Sequence, residues 1–87
     1  MQRTVEFTPG SERDLLRLQT PSRQRVSTVI AKLQDGPFAP GAEKLKGHEA
    51  LWRLRVGDYR VIYALGQSTR TVTITRVRDR KEAYRDL

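Results

Sequence analysis

Eighty-seven residues can enclose one hydrophobic core, so the chain reads as a single domain over 1–87, and 37% hydrophobic against 31% charged residues is polar but globular. The lack of cysteine excludes disulfides, thiolate zinc sites and a thiol nucleophile, and the single histidine, His48, excludes a multi-histidine metal site. No apolar run approaches the roughly 18 residues of a membrane span, and the opening MQRTVEFT has no signal-peptide hydrophobic stretch, so the expectation is a cytoplasmic protein with no membrane association.

The net charge is +7, and thirteen of the seventeen basic residues are arginine. Residues 1–43 carry six basic and five acidic side chains, whereas residues 44–85 carry eleven and four. An excess confined to one half of the chain points to a polyanion such as nucleic acid. An acidic protein partner or a plain solubility surface would also account for it.

Taken in order, Arg3-Thr4-Val5-Glu6-Phe7 alternates and predicts a short strand ended by Pro9-Gly10. Ser11 and Asp14 resemble a capping box that opens a helix carrying Leu15, Leu16 and Leu18. Thr20-Pro21 starts a second helix, on which Val26, Val29, Ile30 and Leu33 form one apolar face, and Gly36-Pro37 stops it. Residues 37–50 show no period and read as a loop. The period then becomes two, predicting strands over Leu51–Val56, Tyr59–Leu65 and Thr71–Val77, with 66–70 as a polar loop and the tail Arg80–Leu87 as one or two helical turns or a frayed end. The expected fold is α+β in two layers: a strand, a helix hairpin and an antiparallel meander.

Gly57-Asp58, a glycine-first pair between two strands, carries the type II′ hairpin signature and sets the register. Val56 then faces Tyr59, Arg55 faces Arg60, Leu54 faces Val61 and Arg53 faces Ile62. Trp52, Leu54, Val56, Tyr59, Val61, Tyr63 and Leu65 share the face that packs on the helices, leaving Arg53, Arg55 and Arg60 together on the other. Directly opposed like charges cost up to about 1 kcal/mol, and an anion between them reverses the sign because guanidinium groups bind phosphate bidentately. Neutralisation by Asp58, Glu49 or Glu82, or arginines splayed into water, is the alternative. Arg76, Arg78 and Arg80, at alternate positions, extend the same patch in this reading. His48 reads as a solvated loop residue, no serine is placed to pair with it, and Glu43 and Glu49 lack a paired-carboxylate spacing.

The segments Lys44-Leu45-Lys46-Gly47, Leu51 through Tyr63 (LWRLRVGDYRVIY) and Val77 through Arg85 (VRDRKEAYR) resemble the RelE/ParE toxin superfamily, and the N-terminal strand and helix hairpin are similar too. The resemblance implies a β-α-α-β-β-β order with a variable C-terminal helix. It implies the toxin of a type II toxin–antitoxin system that cuts mRNA in the ribosomal A site without a metal or other cofactor, by attack of a 2′-hydroxyl on the adjacent phosphate. The family's catalytic set falls on Arg53, Arg55, Arg60 and Arg80, with Tyr84 at or near a family tyrosine; Lys44, Lys46, Arg76, Arg78 and Lys81 are the accompanying RNA-binding candidates. Positions held by lysine in well-known members are Arg53 and Arg55 here, and arginine cannot be a general base. Many relatives carry Gly-His before the final arginine where this chain has Arg78-Asp79, so proton transfer falls to Asp79, Glu82 or Tyr84. The implied partners are a cognate antitoxin, the ribosome and mRNA, with operator DNA bound through the antitoxin. ParE-type members of the same fold inhibit DNA gyrase instead.

Overall fold

The computed structural model describes residues 3–36, 41–45, 47, 50–66 and 70–79. The elements run β1 (Thr4–Phe7), α1 (Pro9–Arg17), α2 (Thr20–Lys32), β2 (Ala42–Lys44), β3 (Leu51–Val56), β4 (Tyr59–Leu65) and β5 (Thr71–Asp79). The five strands form one sheet in the order β1-β5-β4-β3-β2, in which β1 pairs parallel with β5 and the other pairs are antiparallel. The helices cover one face, giving the expected two-layer α+β fold.

The hairpin register is as the turn chemistry predicts, from Val56 opposite Tyr59 to Arg53 opposite Ile62. Gly57 takes φ 59° and Asp58 does not have positive φ, which is the type II′ pattern that glycine permits in the first position. The core follows the two periods: Val26 and Ile30 from α2 and Leu33 at its C-cap meet Leu54, Val56, Val61, Tyr63, Val72, Ile74 and Val77 from the sheet. Trp52, Tyr59 and Leu65 pack at its margin, as do Leu15 and Leu18 of α1, while Leu16 is exposed.

Three expectations change. First, the helix opens before the Ser11–Asp14 capping box expected to start it: Pro9 begins α1, and Thr8 is its cap, its Oγ1 accepting from Ser11 N–H at 3.1 Å. Ser11 is therefore inside the helix, and Asp14 is released for a different task. Second, the loop expected over 37–50 contains β2, whose Ala42, Glu43 and Lys44 lie opposite Leu54, Arg53 and Trp52. Three residues are too few to show a period, so only the neighbouring strand reveals it. Third, β5 runs to Asp79 and carries a β-bulge: Ile62 pairs with Arg76 but Tyr63 with Ile74, so Thr75 is the extra residue. The tail Arg80–Leu87 lies outside the described residues.

Candidate functional site

The face opposite the helices is arranged in cross-strand rows, because residues at matched register point to the same side. One row is Arg55 on β3, Arg60 on β4 and Arg78 on β5. The next is Glu43 on β2, Arg53 on β3, Ile62 on β4 and Arg76 on β5. Directly opposed residues in such rows have Cβ atoms about 4.5–5.5 Å apart, so three guanidinium stems stand side by side in the first row.

The members differ in exposure. Arg55 is exposed, Arg53 and Arg78 are partly buried, and Arg60 is only 3% exposed, its Nη1 donating to the Tyr59 carbonyl at 3.1 Å. Arg60 is thus buried, although the sequence places it with Arg53 and Arg55 on the face away from the helices. Arg60 sits on the central strand with an arginine stem on each side, and long stems shield what lies between them. Ile62, between Arg53 and Arg76, is buried for the same reason. Arg53 meets a carboxylate: its Nη2 lies 2.6 Å from Glu43 Oε2. Among the described residues a neutralising partner is thus Glu43, delivered by β2, while Glu49 and Glu82 lie outside the described residues. Gly41, Glu43, Arg53 and Arg55 line a shallow cavity of about 210 Å³ at this end of the site.

On β5 strict alternation would put Arg76 and Arg78 on the same side as Val72 and Ile74, which is the core. The extra residue Thr75 shifts the phase, so Val77 enters the core and Arg78 joins Arg60. The apolar spacing Val72, Ile74, Val77 is the signal in the sequence that marks this bulge. Arg76 does not extend the cluster as expected. Its Nε and Nη2 donate to Asp14 Oδ2 and Oδ1 at 3.0 and 3.3 Å, and Asp14 Oδ2 also accepts from Val77 N–H at 2.9 Å. Lys44, opposite Trp52, projects to the helix side at the sheet edge, away from the arginine row. Asp79, opposite Tyr59, likewise shares the helix-side face. Arg80, Tyr84, Lys81, Lys46, His48, Glu49 and Glu82 lie outside the described residues. Among the described residues no three histidine, cysteine, aspartate or glutamate side chains converge as metal ligands.

The described residues define a small basic α+β protein of two layers, with a cross-strand arginine cluster on the sheet face opposite the helices. The chain belongs to the family described as ParE toxin of type II toxin-antitoxin system, parDE, whose sequence model matches residues 5–84, within the RelE/ParE superfamily. Among solved structures it is similar to the archaeal RelE–RelB complex from Pyrococcus horikoshii OT3, with TM-score 0.80 and 26% identity over 92% of this chain and 97% of that one. The RelB–RelE antitoxin–toxin complex from Methanococcus jannaschii gives TM-score 0.78 and 25% identity over 94% and 98%. The YoeB/ParE toxin from Agrobacterium tumefaciens shares the fold, with TM-score 0.75 and 23% identity over 87% and 96%. No curated protein is significantly similar in sequence.

Proposed function

We propose that this toxin is an endoribonuclease that cuts mRNA in the ribosomal A site. The observation that carries the reading is the row Arg55, Arg60, Arg78 across three adjacent strands. In the proposed reaction the ribose 2′-hydroxyl attacks the adjacent phosphorus and the bond to the 5′ oxygen of the next nucleotide breaks. The products are a 2′,3′-cyclic phosphate and a 5′-hydroxyl. The phosphorane gains a second negative charge as it forms, and fixed cations in one place stabilise it without reorganising. Arg60, held between its neighbours and tied to the Tyr59 carbonyl, is the preorganised member, and the exposed Arg55 admits the strand. Arg78 completes the clamp, and Arg53, beside Glu43, serves a flanking phosphate. Roles for Arg80 at the scissile phosphate and Tyr84 as a base-stacking or proton-transferring group rest on the resemblance. Lys46 and Lys81 as backbone contacts rest on it too. The general base is Glu82 or Tyr84 in this reading, since Asp79 shares a face with Tyr59.

The partner is an antitoxin, in keeping with the complexes of the similar archaeal proteins. Its inhibitory segment is acidic with spaced apolar anchors. It neutralises the row and covers the helix pair, where the exposed Leu16 and Phe7 line a groove of about 390 Å³ with Leu15 and Arg23. Operator DNA would be bound through that antitoxin.

A second reading, inhibition of DNA gyrase, is favoured by the match of the chain to the ParE family rather than to a nuclease family. Induction in cells followed by mapping of mRNA 5′ ends, together with a gyrase cleavage assay on supercoiled DNA, separates the two. New 5′ ends within codons on ribosome-bound messages are expected, falling about a hundredfold in Arg55→Ala, as removal of one charge-stabilising donor does elsewhere, and unchanged in Arg13→Ala on the exposed side of α1. Gyrase-linked DNA breaks with unaltered mRNA ends would instead establish the second reading.

A further inference from the structure

The arginine row depends on a backbone irregularity. Without the bulge at Thr75, Arg78 would fall on the core side of β5 and the row would end at Arg60. Bulges survive where side chains satisfy the backbone groups that the ladder has lost. Here β1 accompanies β5 only from Thr71 to Ile74, and beyond that point the N-terminal part of α1 takes the place of the missing strand. Thr8 N–H donates to the Ile74 carbonyl at 3.0 Å, and Thr8 Oγ1 donates to the Thr75 carbonyl at 3.0 Å. Thr75 Oγ1 donates across to the Ile62 carbonyl at 3.0 Å. Asp14, 5% exposed, closes the sequence by accepting from the Val77 N–H and from Arg76.

We propose that Asp14, acting with Thr8 and Thr75, is a positioning residue that pins the bulge and so places Arg78 in the phosphate-binding row. None of these three residues lies in the row itself. The carboxylate suits the task because one oxygen serves a strand N–H while the pair together holds the guanidinium of the preceding residue, which turns Arg76 aside and leaves Arg78 to face Arg60. The use of the row rests on the proposed phosphate chemistry, whereas the register does not.

The test therefore reads register and binding separately. In the full chain, backbone nuclear Overhauser contacts between Arg60 and Arg78 report the register, and anisotropy of a short, uncleavable 2′-O-methylated RNA reports binding. Asp14→Ala is expected to remain folded, lose the Arg60–Arg78 contacts and bind the RNA about tenfold or more weakly, the value of one charge-assisted contact. Asp14→Asn keeps an oxygen for Val77 and is expected to restore the register and bind within about threefold of the parent. If Asp14→Ala does not fold, Thr75→Val, which keeps the shape and removes only the hydroxyl tie, takes its place, with the same loss of Arg60–Arg78 contacts expected. Retention of those contacts in Asp14→Ala, or in Thr75→Val where that variant is used, overturns the proposal. Loss of the contacts with no change in RNA affinity supports the positioning role and overturns the phosphate reading instead.

Discussion

At the scale of single residues, two positions are constrained by conformation and burial more than by charge. Gly57 holds φ 59°, and a Cβ placed there would also meet Arg25 Nη1 at 3.4 Å. Gly57→Ala should cost about 1–2 kcal/mol in urea unfolding, because an L-residue pays the left-handed penalty while the turn keeps its shape. Tyr63 is fully buried and its phenol is pushed up to about 12 by that burial. The folded state then holds a proton that the unfolded state releases above its ordinary value of 10, so stability is intact below pH 10 and declines as pH rises towards 12. Urea midpoints at successive alkaline pH values should show this decline, and Tyr63→Phe should flatten it. The same midpoints unaffected by Tyr63→Phe would assign the decline to another group. Arg60 shows how far residue identity misleads about exposure: an arginine reads as a surface residue, but its place on the central strand buries it.

At the scale of elements, each piece is held by a different kind of contact. The helix α2 is anchored by Val26, Ile30 and Leu33, all buried, so Ile30→Ala should destabilise by about 2–5 kcal/mol through lost contacts and the cavity left behind, measurable as a lower urea midpoint. The edge strand β2 is short and charged, features that discourage pairing with other chains. Its Glu43–Arg53 ion pair is solvent-accessible, with the Glu43 side chain 67% exposed, and such pairs contribute about 1 kcal/mol or less. Glu43→Gln should therefore leave the thermal midpoint nearly unchanged while raising affinity for RNA, since Arg53 loses its internal counter-charge; unchanged RNA affinity would remove Arg53 from the phosphate surface. The strand β5 is the element least legible from its own sequence, because its face assignment changes halfway along at Thr75.

For the whole molecule, the charge asymmetry becomes a spatial one. The chain folds so that Arg53 and Arg55 from β3, Arg60 from β4 and Arg78 from β5 converge on the face that the helices leave bare. If the three residues of the arginine row each neutralise one phosphate of a single strand, the logarithm of RNA affinity should fall with the logarithm of salt with a slope of about −2, and Arg55→Ala should lower that slope by about 0.7. A slope indistinguishable from zero would show that the row does not bind the backbone. Association with an acidic antitoxin should be fast and should slow with salt for the same reason, because steering acts on the whole field rather than on one contact.

What the amino-acid sequence determined by itself is everything governed by local rules. The period of two in β3 and β4, the glycine-first turn and the helical spacing of Val26, Ile30 and Leu33 settle elements, register and core face, since each depends only on neighbours a few residues away. From these alone Arg55 opposite Arg60 is legible. Tertiary structure decided the rest, because it depends on groups far apart in the chain. The parallel β1–β5 pairing, the diversion of Arg76 and the burial of Arg60 all follow from β5 lying between β1 and β4. Asp14 is the plainest case: three positions after Ser11 it reads as half of a capping box, yet its carboxylate reaches across 63 positions to the Val77 N–H, because a buried strand end must find an acceptor wherever the fold brings one.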